Sequence, residues 1–364
     1  MNARVFNSNQ QGYSVMSMTM KEIADLAGVS RFAVSAVLSS SKSTRVSAET
    51  REKILRLAEK YDFVPNHAAQ QLKGHSTQMI GLISQSTKIG FLSVLQAELV
   101  TLLQSKGFDV LINQVSPGNK DFTSKLKELR ARRVEGVLAL NANRPSGQPE
   151  KTALPIVYFS GNPPGCPDID TDRVAGGCMA GKHLMEHGRK NPVYVYFTGN
   201  SIPNQEKYNG FSMALKEYGC CGPGRNVLAL EYGIQPSEAV KRLRKMNADA
   251  IFCCNDYVAA KMTRALLQAG LKVPQDMAII GFDGYAFCDF TPVSLATVVQ
   301  PVKKQAKAAV DLLLDRIGRN VVDSRFANLR FKPELRPSES CGCPDAEANE
   351  LSGLDNILLM NSND

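Results

Sequence analysis

The chain has 364 residues, 43% of them hydrophobic, and a formal net charge of +8. That length exceeds one typical domain, so two or three compact units are expected, with enough apolar residues to bury their cores. The basic balance suits a polyanionic partner. No apolar run is long enough to span a bilayer, which excludes a helical membrane protein.

Residues 1–17 are polar and lack an apolar signal core, so they read as a disordered extension of a cytoplasmic chain. The nine cysteines are accordingly taken as reduced. Thr19 can cap a short helix in which Ile23, Ala24 and Ala27 share a face. Gly28 follows, where a tight turn needs a residue tolerant of positive φ. Ser30 can cap a second helix with Val34, Val37 and Leu38 turned inward. Two short helices joined by such a turn form a helix-turn-helix, whose second helix can enter a DNA major groove. A polar loop from Ser39 to Arg45 leads to a third helix, Ala48 to about Tyr61, capped by Ser47. Residues 18–63 are thus expected to form one small headpiece. Pro65 can start a further short helix and Gly74 can end it, giving a hinge and linker over 64–77.

From Met79 strand-like runs alternate with helical ones. Strands are expected at 79–84, 109–115, 134–140 and 155–159, with helices near 92–106 and 122–132. The Pro- and Gly-rich stretch from Gly161 to Pro167 marks a boundary. A second series follows, with strands at 193–197, 227–231, 250–254 and 278–282. Helices are expected at 174–186, 205–218, 237–246 and 257–269, and a last one at 302–317 returns to the first half. Alternation of this kind argues for βαβ units and parallel sheets. Residues 78–341 are expected to form this larger unit, and 342–364 a tail.

The segment Ile23-Ala24-Asp25-Leu26-Ala27-Gly28-Val29-Ser30, with Val34-Ser35, Val46-Ser47, Thr50-Arg51 and the hinge Tyr61 to Gly74, resembles the headpiece of the lac repressor (LacI/GalR) family. The likeness extends through Asp172-x-x-x-Gly176-Gly177, His183-Leu184, Gly210-Phe211, Asn255-Asp256, Gly281-Phe282-Asp283, Val299-Gln300-Pro301 and Glu334-Leu335-Arg336. It implies an α/β protein. A helix-turn-helix headpiece would precede a periplasmic-binding-protein-like sensor of two doubly wound halves. The implied function is a cytoplasmic, nucleoid-associated transcriptional regulator, read as a repressor. It would act as a homodimer, or a higher oligomer, on double-stranded operator DNA under control of a small-molecule effector. No cofactor is implied.

On DNA, the resemblance places Arg31, Phe32 and Ala36 against base edges. Arg can bond bidentately to guanine and Phe can contact a thymine methyl. The family usually has Arg where this chain has Ala36, so its usual half-site does not carry over. Thr19, Ser30, Ser35 and Ser39 suit phosphate contacts, though each also suits a cap or a surface hydroxyl. Arg45, Asn66 and Ala69 join this DNA-facing set. Leu72 matches the hinge residue that wedges a minor-groove base step open; a core contact is its other reading.

In the sensor, a ligand is expected between the halves, at the carboxyl ends of strands. The implied effector contacts are Phe91, Lys207, Asn255 and Asp283, and the implied ligand is a sugar or related metabolite. Lys207 stands where the family usually has Arg. Asp283, beside Gly284, also suits a turn. Asp256 reads as the cap of the following helix. Phe91 or Phe287 could stack on a sugar face or pack at a domain edge.

No enzyme is expected, since the chain has no phosphate loop, no zinc-protease motif and no nucleophile elbow. His183 and His187, at i and i+4, share a helix face but have no ligand partner nearby in sequence. Cys220-Cys221, Cys253-Cys254 and Cys341-Gly342-Cys343 raise a thiol- or metal-responsive regulator as the alternative. None has Cys-x-x-Cys spacing, and no metal site is expected.

Overall fold

The structure, a computed structural model, describes residues 18–38, 46–63, 76–85, 90–116, 121–140, 154–159, 168–198, 202–220, 226–231, 233–319 and 327–343. Two compact units divide at residues 77 and 78. In the first unit, α1 (Met20–Ala27), α2 (Arg31–Leu38) and α3 (Ala48–Lys60) enclose a small core. Ile23, Ala24, Val34, Val37, Ile54 and Ala58 fill it. Thr19 and Glu22 form a reciprocal capping box: Glu22 accepts from the Thr19 amide at 2.6 Å, and the Glu22 amide donates to the Thr19 hydroxyl at 3.3 Å. Gly28 ends α1 at φ 72, the left-handed conformation that an L side chain resists. Ser30 accepts from the Ala33 amide and Ser47 from the Thr50 amide, each at 3.2 Å.

The second unit contains two six-stranded sheets. The first half has β1 (Met79–Gln85), α4 (Phe91–Ser105), β2 (Asp109–Val115), α5 (Phe122–Ala131), β3 (Gly136–Leu140), β4 (Ile156–Phe159) and β5 (Ile169–Thr171). The second half has α6 (Arg173–Glu186), β6 (Pro192–Phe197), α7 (Ile202–Glu217), β7 (Val227–Leu230), α8 (Pro236–Lys245), β8 (Ala250–Cys253), α9 (Asp256–Gln268), β9 (Ala278–Asp283) and β10 (Ala296–Val299). Then come α10 (Val302–Gly318), β11 (Leu329–Phe331) and β12 (Glu334–Arg336). The strand orders β2-β1-β3-β4-β5 and β7-β6-β8-β9-β10 repeat one doubly wound pattern. β11 adds in parallel beside β5, and β12 antiparallel beside β10.

The chain crosses between the halves three times: after β5, after β10, and between β11 and β12. The second crossing delivers α10 to the first half, where Ala306, Ala309, Val310 and Leu313 join that core. Arg316 fixes its end. The guanidinium donates to both Asp168 oxygens at 2.6 and 3.0 Å and to the Ile156 carbonyl at 2.5 Å. A planar fork suits this bidentate geometry, which an ammonium cannot match.

The glycines of the Gly176-Gly177 and Gly210 matches have a steric origin. A Cβ on Gly177 would lie 2.0 Å from the Lys207 carbonyl oxygen, and one on Gly210 1.9 Å from that of Val174. The backbones of α6 and α7 therefore touch directly. The long expected elements are present. β5, β10, β11 and β12 are additions to the expected set; each has only three or four residues, too short for a periodic signal.

Candidate functional site

The first face belongs to the headpiece. Arg31 and Phe32 open α2, where a recognition helix presents its side chains; Phe32 is 73% exposed. Its ring lies outside the headpiece core and is open to a partner. Thr19 and Ser30 already serve as helix caps, and Ser35 is half-buried. Ala36, expected against a base edge, is buried at 6% exposure in α2. Ser39, Arg45, Asn66, Ala69 and Leu72 lie outside the described residues.

The second site lies between the halves of the larger unit. A cavity of about 410 Å³ is lined from the first half by Phe91, Val94 and Glu98. From the second half come Asp283, Gly284, Tyr285, Val299 and Glu334, and the second crossing adds Gln300 and Pro301 with the first residues of α10, Val302 to Lys304. β9 carries Asp283 to its carboxyl end, and the Gly90–Phe91 turn presents the first residues of α4 from the other side. The Asp283 carboxylate accepts from Gln300 Nε2 at 2.7 Å. Burial pushes its acid up to about 6, against the pull of the nearby Lys207 ammonium. Tyr285 adds a phenol whose own proton is held more tightly through burial and the Asp283 charge. That hydroxyl is buried beside the Asp283 carboxylate, with which it interacts, and among the described residues it makes no other hydrogen bond.

Of the four expected effector contacts, Phe91 and Asp283 meet in this cavity. Lys207 and Asn255 are not among its lining residues, for physical reasons. The buried Lys207 ammonium donates to the Cys254 carbonyl at 2.5 Å and sits 4.1 Å from the Phe282 ring centroid, a cation–π geometry. Burial pulls its pKa down while Asp283 opposes that shift. Lys207 therefore acts on the site through its charge. Asn255 is occupied as the cap of α9, accepting from the Val258 amide at 2.9 Å.

Asp256, expected as that cap, is instead fully buried and ties down the loop beside the cavity. Its carboxylate accepts from the Gly284 and Tyr285 amides at 2.8 and 2.9 Å and from the Thr297 hydroxyl at 2.6 Å. Phe287 packs with Tyr257 and Tyr285, at centroid distances of 4.8 and 5.6 Å, and is not among the lining residues.

Gln300, named in the sequence only within the Val299-Gln300-Pro301 match and not as an effector contact, lines the cavity. Besides donating to Asp283, its carbonyl oxygen accepts from the Thr171 hydroxyl at 2.5 Å, and Gln305 Nε2 donates to that same hydroxyl at 2.8 Å. The bonds run unbroken from the cavity to two of the three crossings. One signal is available: a long amide between a strand-like run and Pro301 marks a strand end. Beside it, Arg173 donates to Asp170 at 2.6 Å and to Glu206 at 2.7 Å, binding the first crossing to α7.

An exposed reading face on a helix-turn-helix, joined to a two-sheet unit with a polar cleft, defines a DNA-binding ligand sensor. Comparison with known proteins agrees. Residues 19–66 match the "Bacterial regulatory proteins, lacI family", and residues 182–341 a "Periplasmic binding protein-like domain". The chain is 28% identical over 329 residues to the HTH-type transcriptional repressor PurR of Pasteurella multocida, covering 87% of this chain and 96% of that protein. It is 29% identical over 299 residues to the HTH-type transcriptional regulator DegA of Bacillus subtilis, covering 79% and 88%. A lac repressor dimer bound to operator and the anti-inducer ONPF shares the fold with a TM-score of 0.77 at 21% identity, covering 89% of this chain and 99% of that one. The chain thus carries a lacI-type DNA-binding domain at residues 19–66 ahead of a periplasmic-binding-protein-like domain. It is a DNA-binding transcription regulator and not an enzyme.

Proposed function

We propose that the protein is a dimeric repressor whose hold on operator DNA is set by a small polyhydroxylated effector, a sugar or related metabolite, bound in the cavity at Asp283. The observation that carries the reading is the pairing of the buried Asp283 carboxylate with the adjacent Tyr285 hydroxyl and the Phe91 ring around one cavity. A carboxylate takes hydroxyl donors, a phenol oxygen can accept a further hydroxyl, and an aromatic face covers sugar C–H groups. The likeness to PurR, a transcriptional repressor, supports repression. The likeness to the lac repressor, a dimer bound to operator in its crystal structure, supports a dimer on operator.

Control would be a population shift: a ligand favours whichever arrangement of the two halves it binds more tightly. The chain from Asp283 through Gln300 to Thr171 and Gln305 supplies physical continuity between ligand and crossings. A thermal-shift screen of sugars and nucleobases on the full chain tests this, because a ligand of the folded state raises Tm. Sugars are expected to raise it, with the shift lost in Asp283→Ala. A ligand that binds Asp283→Ala as tightly as wild type rules the site out, and a response confined to nucleobases rules out the sugar class.

A further inference from the structure

In sequence His183 and His187 are helix-end histidines without partners, and Cys341 and Cys343 are unpaired thiols. The fold brings them together across more than 150 residues of sequence. His183 and His187 occupy the end of α6, one turn apart, with ring centroids 4.3 Å from each other. Cys341 closes a 3-10 turn over Glu339–Cys341. Gly342, at φ 96, then turns the chain so that Cys343 faces the same helix end. His183 Nε2 lies 3.2 Å from Cys341 Sγ and 3.6 Å from Cys343 Sγ, and His187 Nε2 lies 3.4 Å from Cys343 Sγ.

We propose that His183, His187, Cys341 and Cys343 form a tetrahedral site for a zinc-type divalent cation. With Zn–N near 2.0 Å and Zn–S near 2.3 Å, tetrahedral angles put N and S atoms roughly 3.5 Å apart. The three distances above match that edge. The donor atoms of His183, Cys341 and Cys343 already fall within 4.8 Å of one another. His187 is exposed, so its imidazole can turn to complete the set. Two imidazoles and two thiolates are the ligands a zinc-type cation selects over calcium or magnesium. Four protein ligands leave no open position, so the site is structural: it fastens the segment after β12 to α6. Binding releases the thiol protons, including the one Cys341 now directs at the Ser338 carbonyl at 3.0 Å, so affinity rises with pH.

The test uses the full chain, stripped of metal under reductant and titrated with Co²⁺. One Co²⁺ per chain is expected, with thiolate-to-cobalt charge-transfer and tetrahedral ligand-field absorption, displaced by Zn²⁺. Loss of an outer-shell partner costs about 10–100-fold in affinity, so removing a ligand costs at least that. Cys343→Ser and His187→Ala are the informative variants, since neither position is buried and circular dichroism can verify their fold. Both should lose at least about tenfold in Co²⁺ affinity, while Cys220→Ser should bind as wild type. Absence of the thiolate band, unchanged affinity in Cys343→Ser, or loss confined to Cys220→Ser overturns the site. So does a Cys341–Cys343 disulfide that forms with no metal uptake.

Discussion

Asp283 concentrates several opposing effects in one residue. It adopts φ 122, a backbone region that side chains rarely enter, and such strain costs about 1–3 kcal/mol. The turn expected beside Gly284 is present, at φ 86, and Asp283 also lines the cavity. Its acid is held at about 6 by burial, above the unfolded value of about 3.9. The folded state therefore keeps this proton to higher pH than the unfolded chain does. The resulting stability is fully present below about pH 4 and is lost as pH rises through about 6. Asp283→Asn removes that titration. Urea melts of wild type and variant across pH 4–7 should show the variant gaining on wild type as pH rises, by roughly 1–3 kcal/mol. Parallel profiles would mean that Asp283 titrates alike in both states.

At the scale of elements, the contact of α6 with α7 is set by what is missing from two side chains. Gly177 and Gly210 let carbonyl groups of the facing helix approach to where a methyl would stand. The atoms that would clash are backbone, so no rotamer change relieves them. Gly210→Ala must push the helices apart, and overpacking of this kind costs about 1–3 kcal/mol or more. α7 also carries Lys207 and Glu206, so the shift reaches both the Asp283 charge and the Arg173 pair. The expected outcome is a lower urea midpoint with weaker ligand binding; an unchanged midpoint would show that the pair can separate at no cost. Gly28, with nothing within 4 Å of its Cβ position, is a different case, required by its φ alone.

For the whole molecule, the proposed operator recognition would use the headpieces of two chains and the hinge residue Leu72 that the family resemblance implies. An apolar wedge stabilises a kinked duplex by filling the opened base step. Leu72→Ala should accordingly lose most operator-specific affinity while salt-sensitive non-specific binding persists, since that rests on cations neutralising phosphates. Gel-shift titrations on operator and random DNA, with a circular-permutation bending assay, measure both. Wild-type bending by the variant would reduce the hinge to a linker.

The sequence by itself determined the headpiece and the alternating α/β order, because caps, turns and apolar periodicity are local. Thr19, Gly28, Ser30 and Ser47 act over three or four residues, and their roles are legible at that range. It also marked Phe91 and Asp283, which meet in one cavity. Only the tertiary structure decided what each polar residue does with its bonding capacity. Asn255 and Asp256 are neighbours with nearly the same chemistry, yet one caps α9 and the other pins the loop at Gly284 and Tyr285. Lys207 directs its charge at Cys254 and Phe282. Gln300 with Thr171, and His183 with Cys341, are pairs separated by 129 and 158 residues. Such meetings are set by how the strands order and the chain crosses between sheets, and no local pattern encodes that.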